Sequence, residues 1–78
     1  KRLTKLEDVA KSFAGVKEAY AIQAGREIRV IVNPEEVNDA QTVKLAHFLK
    51  TKIQKELTYP GTVKVSVVRE IKATEIAT

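Results

Sequence analysis

The chain has no cysteine, one histidine, two prolines, and only two tyrosines and two phenylalanines as aromatic residues. Without cysteine there is no disulfide framework and no thiolate zinc site, an absence that fits a reducing compartment. A metal site would have to be built on His47 and finished by carboxylates. Its helical neighbours Lys44 and Thr51 are not metal ligands, so His47 reads as a partly exposed helix residue. Nucleophilic catalysis lacks parts as well: Ser12 and Ser66 have no base beside them in sequence. No apolar run approaches the ~20 residues that a bilayer requires, and no signal-peptide pattern opens the chain. Starting at Lys1 rather than a methionine, the chain is expected to be a domain of a longer protein.

What is present is one domain's worth of sequence: 78 residues, 44% hydrophobic and 31% charged, which argues against disorder. So short a chain buries a modest core and gains from neighbours. Fourteen basic against ten acidic side chains leave a net charge of +4. The charges are scattered rather than blocked, the pattern of a solvated surface more than of a dedicated RNA face.

Leu3-Thr4-Lys5-Leu6-Glu7 resembles a capped helix start, with Thr4 as cap, Glu7 three residues on and Leu3 as staple. Leu6, Val9, Ala10 and Phe13 follow at helical spacing, and Gly15 supplies a stop, predicting a helix over about 5–14. The period then changes to two. Alternation around Tyr20, Ile22 and Ala24, and around Ile28, Val30 and Val32, predicts strands at about 18–24 and 27–32, turning at Gly25. Asn38 with Gln41 forms a second capping box. The helix it opens, about 39–57, has a buried stripe through Thr42, Leu45, Ala46, Leu49, Ile53 and Leu57, flanked by Val43 and Phe48. Tyr59-Pro60-Gly61 breaks that helix. Val63, Val65 and Val67 predict a third strand over about 63–70, and Ile71–Ile76 either continues it or pairs as a short fourth strand.

The order α-β-β-α-β gives an α+β two-layer sandwich, with both helices on one face of a small mixed sheet and the other face bare. The third strand should lie parallel to one of the first two. The bare face is expected to carry Ala19, Ala21, Ile31 and Val68, or their alternates, as an association patch.

The chemistry-bearing candidates are few. Glu35-Glu36 precedes a helix, where the macrodipole explains them. Gln23-Ala24-Gly25-Arg26 joins two strands and lacks the repeated glycines of a phosphate loop. The Gly-X-X-Gly clamp of KH domains is missing too. Arg26 and Arg29 on the hairpin, with Tyr20, Lys64 and Arg69, are the candidates for contact with a partner or with RNA. For the hairpin arginines the alternative is pairing with Glu18 or Glu27, or simple solvation. Only Tyr20 among the aromatics falls on a predicted strand, too few for a base-stacking sheet.

Four segments in order, Ala19–Val32, Pro34–Glu36, Tyr59–Gly61 and Arg69-Glu70, resemble the C-terminal domain of ribonuclease Y, a bacterial membrane-anchored endoribonuclease. The likeness runs from about Leu6 to Ala77 and departs at His47-Phe48-Leu49-Lys50 and in the last residues. It implies a parent with a membrane segment, a coiled coil, a KH domain and an HD-type phosphodiesterase domain that uses a divalent metal. Such a parent cleaves single-stranded messenger RNA at the cytoplasmic side of the membrane. The HD motif has no counterpart here, so no catalytic, cofactor-binding or metal residue carries over. The chain is therefore expected to be a non-catalytic accessory domain needing no cofactor, acting through protein partners or self-association, with RNA met through the parent. The alternative is an auxiliary RNA-binding module using Arg26, Arg29 and surface lysines. Neither a small-molecule ligand nor direct membrane contact is expected. A ferredoxin-like ligand sensor lacks a polar pocket signature.

Overall fold

A computed structural model describes residues 2–57 and 61–78, with the side chains of residues 2 and 3 left aside. Its elements are α1 (Arg2–Lys11), β1 (Val16–Ile22), β2 (Glu27–Val32), α2 (Asp39–Glu56) and β3 (Lys64–Arg69). The sheet runs β1-β2-β3, with β1 antiparallel and β3 parallel to β2. The α+β order α-β-β-α-β predicted from sequence is the one observed. Residues 70–78 form no strand, so Ile71–Ile76 neither continues β3 nor pairs as a short fourth strand.

The first helix begins earlier than its sequence suggests. Thr4 lies inside α1 and caps nothing, because the helix already runs at Arg2. Glu7 turns instead to the sheet, where its carboxylate accepts the Ala21 N–H at 2.9 Å. The chain leaves α1 through Ser12–Gly15, and Gly15 has φ +86°. A Cβ there would stand 2.5 Å from Val37 Cγ2, and its carbonyl accepts Asn33 N–H at 2.8 Å. The helix expected to reach residue 14 ends at Lys11, so Gly15 does not stop it but seats the start of β1 against the end of β2.

The hairpin is wider than a two-residue turn. β1 stops at Ile22, and Gln23–Gly25 makes one 3-10 turn in which Gln23, Ala24 and Gly25 all have positive φ. The first strand was expected to reach residue 24; left-handed backbone at residues 23 and 24 is incompatible with it.

The capping box of α2 is as the sequence predicts: Asn38 Oδ1 accepts Gln41 N–H, and Gln41 Oε1 accepts Asn38 N–H, each at 2.8 Å. Leu45, Leu49 and Ile53 point inward, while Val43 and Phe48 are 73% and 51% exposed. The break expected at Tyr59-Pro60 lies outside the described residues.

Leu6 and Ala10 of α1, Ala19, Ile28, Val30 and Val32 of the sheet, Val37, and the α2 stripe form one core. Burying each of its larger aliphatic side chains contributes about 1.5–3 kcal/mol. α1 lies over β1, and α2 over β3. Both helices occupy the face to which Ile28, Val30 and Val32 point, leaving the other face without a layer.

Candidate functional site

Strand register decides which residues share the uncovered face. Ala19 opposes Val30, Ala21 opposes Ile28, and these in turn lie beside Val67 and Val65. Directly opposed residues point the same way, so Ala19 and Ala21 belong to the helix-facing side. The expectation that they share a bare face with Ile31 and Val68 is corrected, because from Glu18 to Ile22 the β1–β2 pairing joins odd-numbered to even-numbered residues.

The uncovered face is built from three cross-strand rows: Glu18, Ile31 and Val68; Tyr20, Arg29 and Ser66; Ile22, Glu27 and Lys64. Its centre is polar. The Arg29 guanidinium donates to Glu27 Oε2 at 3.2 Å, a bridge between residues two apart on one strand. Glu27 is the surprise: it is 3% exposed although no layer covers it. Burial pushes its carboxyl up, but hydrogen bonds from Ser66 and Arg29 and the positive charges of Arg29 and Lys64 outweigh burial and hold it below the ordinary value. Tyr20 stands 46% exposed. Its phenol donates to Glu18, and that bond, with lesser help from burial and the carboxylate charge, raises its pKa.

Of the five sequence candidates, Tyr20, Arg29 and Lys64 come together on this face. Arg26 is exposed in the hairpin turn at the end of the sheet. Arg69 is elsewhere: it lies in register with Val32 on the helix-facing side. There its Nε donates to Val37 O at 2.6 Å and Nη2 to Pro34 O at 2.7 Å, while Nη1 lies 3.4 Å from Asp39 Oδ1. It ties β3 to the loop before α2, so its donors are turned inward. Sequence reasoning named Glu27 only as a partner for the hairpin arginines, a pairing Arg29 makes, and missed both its burial and Ser66. A carboxylate at an alternating strand position reads as solvated, and only its neighbours across the sheet bury it.

The face carries two acids, Glu18 and Glu27, and two bases, Arg29 and Lys64, and is electrically balanced. Ile22, Ile31 and Val68 are each half-buried beside them. Such a mixed surface offers aliphatic contact, one phenol and one directional guanidinium. Among the described residues no three His, Asp or Glu side chains gather to hold a metal ion, and His47 is exposed on α2. No helix described is long and apolar enough to cross a membrane.

Comparison with known proteins decides the family. The chain is 54% identical over 77 residues to ribonuclease Y of Lactobacillus helveticus, 52% to that of Acholeplasma laidlawii and 54% to that of Desulforudis audaxviator. Each match covers 99% of this chain. The chain belongs to the ribonuclease Y family. It spans 14–15% of the length of these relatives, and so corresponds to one segment of a ribonuclease Y. No family model and no solved structure matches it. Identity at this level over the whole chain places the ribonuclease Y segment and its relatives on one fold.

Proposed function

We infer that this chain is a non-catalytic accessory domain of a ribonuclease Y-like endoribonuclease that initiates messenger RNA decay. It acts by protein contact: packing on the catalytic domain, joining two copies, or docking another decay factor. Cleavage belongs to the parent's HD domain and its divalent metal, at the cytoplasmic side of the membrane to which the parent is anchored.

The observation that carries this reading is the charge-balanced open face. RNA binding draws its affinity from an excess of positive charge and from aromatic platforms. Here Glu18 and Glu27 offset Arg29 and Lys64, and Tyr20 is the single aromatic. Protein interfaces, by contrast, favour Tyr and Arg amid aliphatic side chains. The RNA-binding alternative keeps one point in its favour. Arg26, Lys44, Lys50 and Lys55 are exposed away from those acids.

Nuclear magnetic resonance titration separates the two. Adding the catalytic portion of the parent should shift Tyr20, Arg29 and Ser66 signals, and Tyr20→Ala with Arg29→Ala should weaken that binding. Shifts caused by single-stranded RNA at low salt and abolished at high salt, with none from the protein, would reverse the assignment.

A further inference from the structure

The two edges of the sheet are unequal. On the β1 side, α1 packs along the strand and the Glu7 carboxylate takes the Ala21 N–H at 2.9 Å. On the β3 side no strand lies beyond it among the described residues. The side chains record the difference. Ile28, Val30 and Val32 of the central strand are fully buried, whereas Val63, Val65 and Val67, facing the same layer, are half-buried. Alongside runs a groove of about 440 Å³ lined by Lys50, Ile53, Gln54 and Leu57 of the α2 side and by Val63 and Val65. β3 is an edge strand with no neighbour on its outer side among the described residues, which leaves its valines half-covered.

The chain carries the missing strand but cannot lay it there itself. Residues 70–78 are all exposed, with Ile71 at 74% and Ile76 at 85%. They project from the body: the longest dimension is 51 Å, whereas α2, the longest element, accounts for about 27 Å. The radius of gyration, 13.8 Å, exceeds the ~11.5 Å of a compact chain of this size. To pair with its own β3, the segment would need a tight turn after Arg69. From Thr62 to Thr78 there is neither glycine nor proline to make one.

We propose that Ile71–Ile76 pairs with β3 of a second copy of this chain, and β3 with the corresponding segment of that copy, forming a two-fold antiparallel ribbon. With Ile71 opposite Ile71 of the second copy, Glu70 meets Lys72, Val68 meets Thr74, and Ser66 meets Ile76. Slipping by two residues would set Glu70 against Glu70, a like-charge pair that disfavours that register. One isologous contact then fills the β3 edges of both copies and closes on itself. This interface uses the edge, not the open face, and stands even if that face has no partner.

Sedimentation of the 78-residue chain over a concentration series tests it. The mass should rise toward twice the 8.7 kDa of one chain. A chain ending at Glu70, and the double variant Ala73→Pro with Thr74→Pro, should stay monomeric with unchanged circular dichroism. Ile71→Cys, the sole thiol in a cysteine-free chain, should cross-link to dimer on mild oxidation. A wild-type chain still monomeric near millimolar concentration would overturn the proposal. So would a dimer that survives truncation at Glu70 or the two prolines.

Discussion

Alternate residues of β2 live in two different settings. Ile28, Val30 and Val32 meet the helices and are fully buried; Glu27, Arg29 and Ile31 point to the face with no second layer. Yet Glu27 is as inaccessible as many core residues, at 3%. Burial on the helical side comes from an apolar layer. On the open side it comes from neighbouring side chains, and a carboxylate can be buried there only because Ser66, Arg29 and Lys64 satisfy it. The open face is therefore ordered by polar contacts before any partner arrives.

The sharpest way to break the apolar side is Leu49→Ala. Leu49 is fully buried, so the substitution should cost about 2–5 kcal/mol, read as a fall in the denaturant midpoint. Next is Arg69→Ala, which leaves the Val37 and Pro34 carbonyls without their charged donor and should cost about 1.5–3 kcal/mol. Arg69→Lys should recover little, since one ammonium cannot reach both carbonyls in the fork geometry. Full recovery by lysine would show that charge alone holds the loop. Gly15→Ala meets both a left-handed backbone and Val37, and should lose about 1–3 kcal/mol in the same measurement.

The smallest effects belong to the open face. The folded-state pKa of Glu27 is depressed, so its contribution to stability is present above the unfolded value. It fades as pH falls through the lowered folded value. Wild type should exceed Glu27→Gln in thermal midpoint at neutral pH, with the gap closing in acid; a gap constant down to strongly acidic pH would contradict this. Arg29→Ala should raise the Glu27 titration, observable by carboxyl resonance shifts, because it removes a donor and a charge that offset burial.

Some of this was legible in the chain. The Asn38–Gln41 box fixes the start of α2 because its bonds are local, and Leu45, Leu49 and Ile53 sit inward because helical spacing leaves them no other side. The start of α1 was misread: Thr4 and Glu7 match a capping box in spelling, but Glu7 gains more from the edge of β1. Val43 and Phe48 show the reverse error available to composition, since large apolar residues can remain exposed. Of the five contact candidates, Tyr20, Arg29 and Lys64 were gathered by register, and Arg69 was claimed by the loop before α2.

By itself the sequence determined the element order, the second helix with its cap and stripe, and membership in the ribonuclease Y family, since each rests on local spacing or on a string of residues. Only the tertiary structure decided which side chains share the open face, that Glu27 is buried and that Arg69 is a tie. Those outcomes depend on which residue of one strand lies opposite which residue of another, and a one-residue change in that pairing exchanges the two faces.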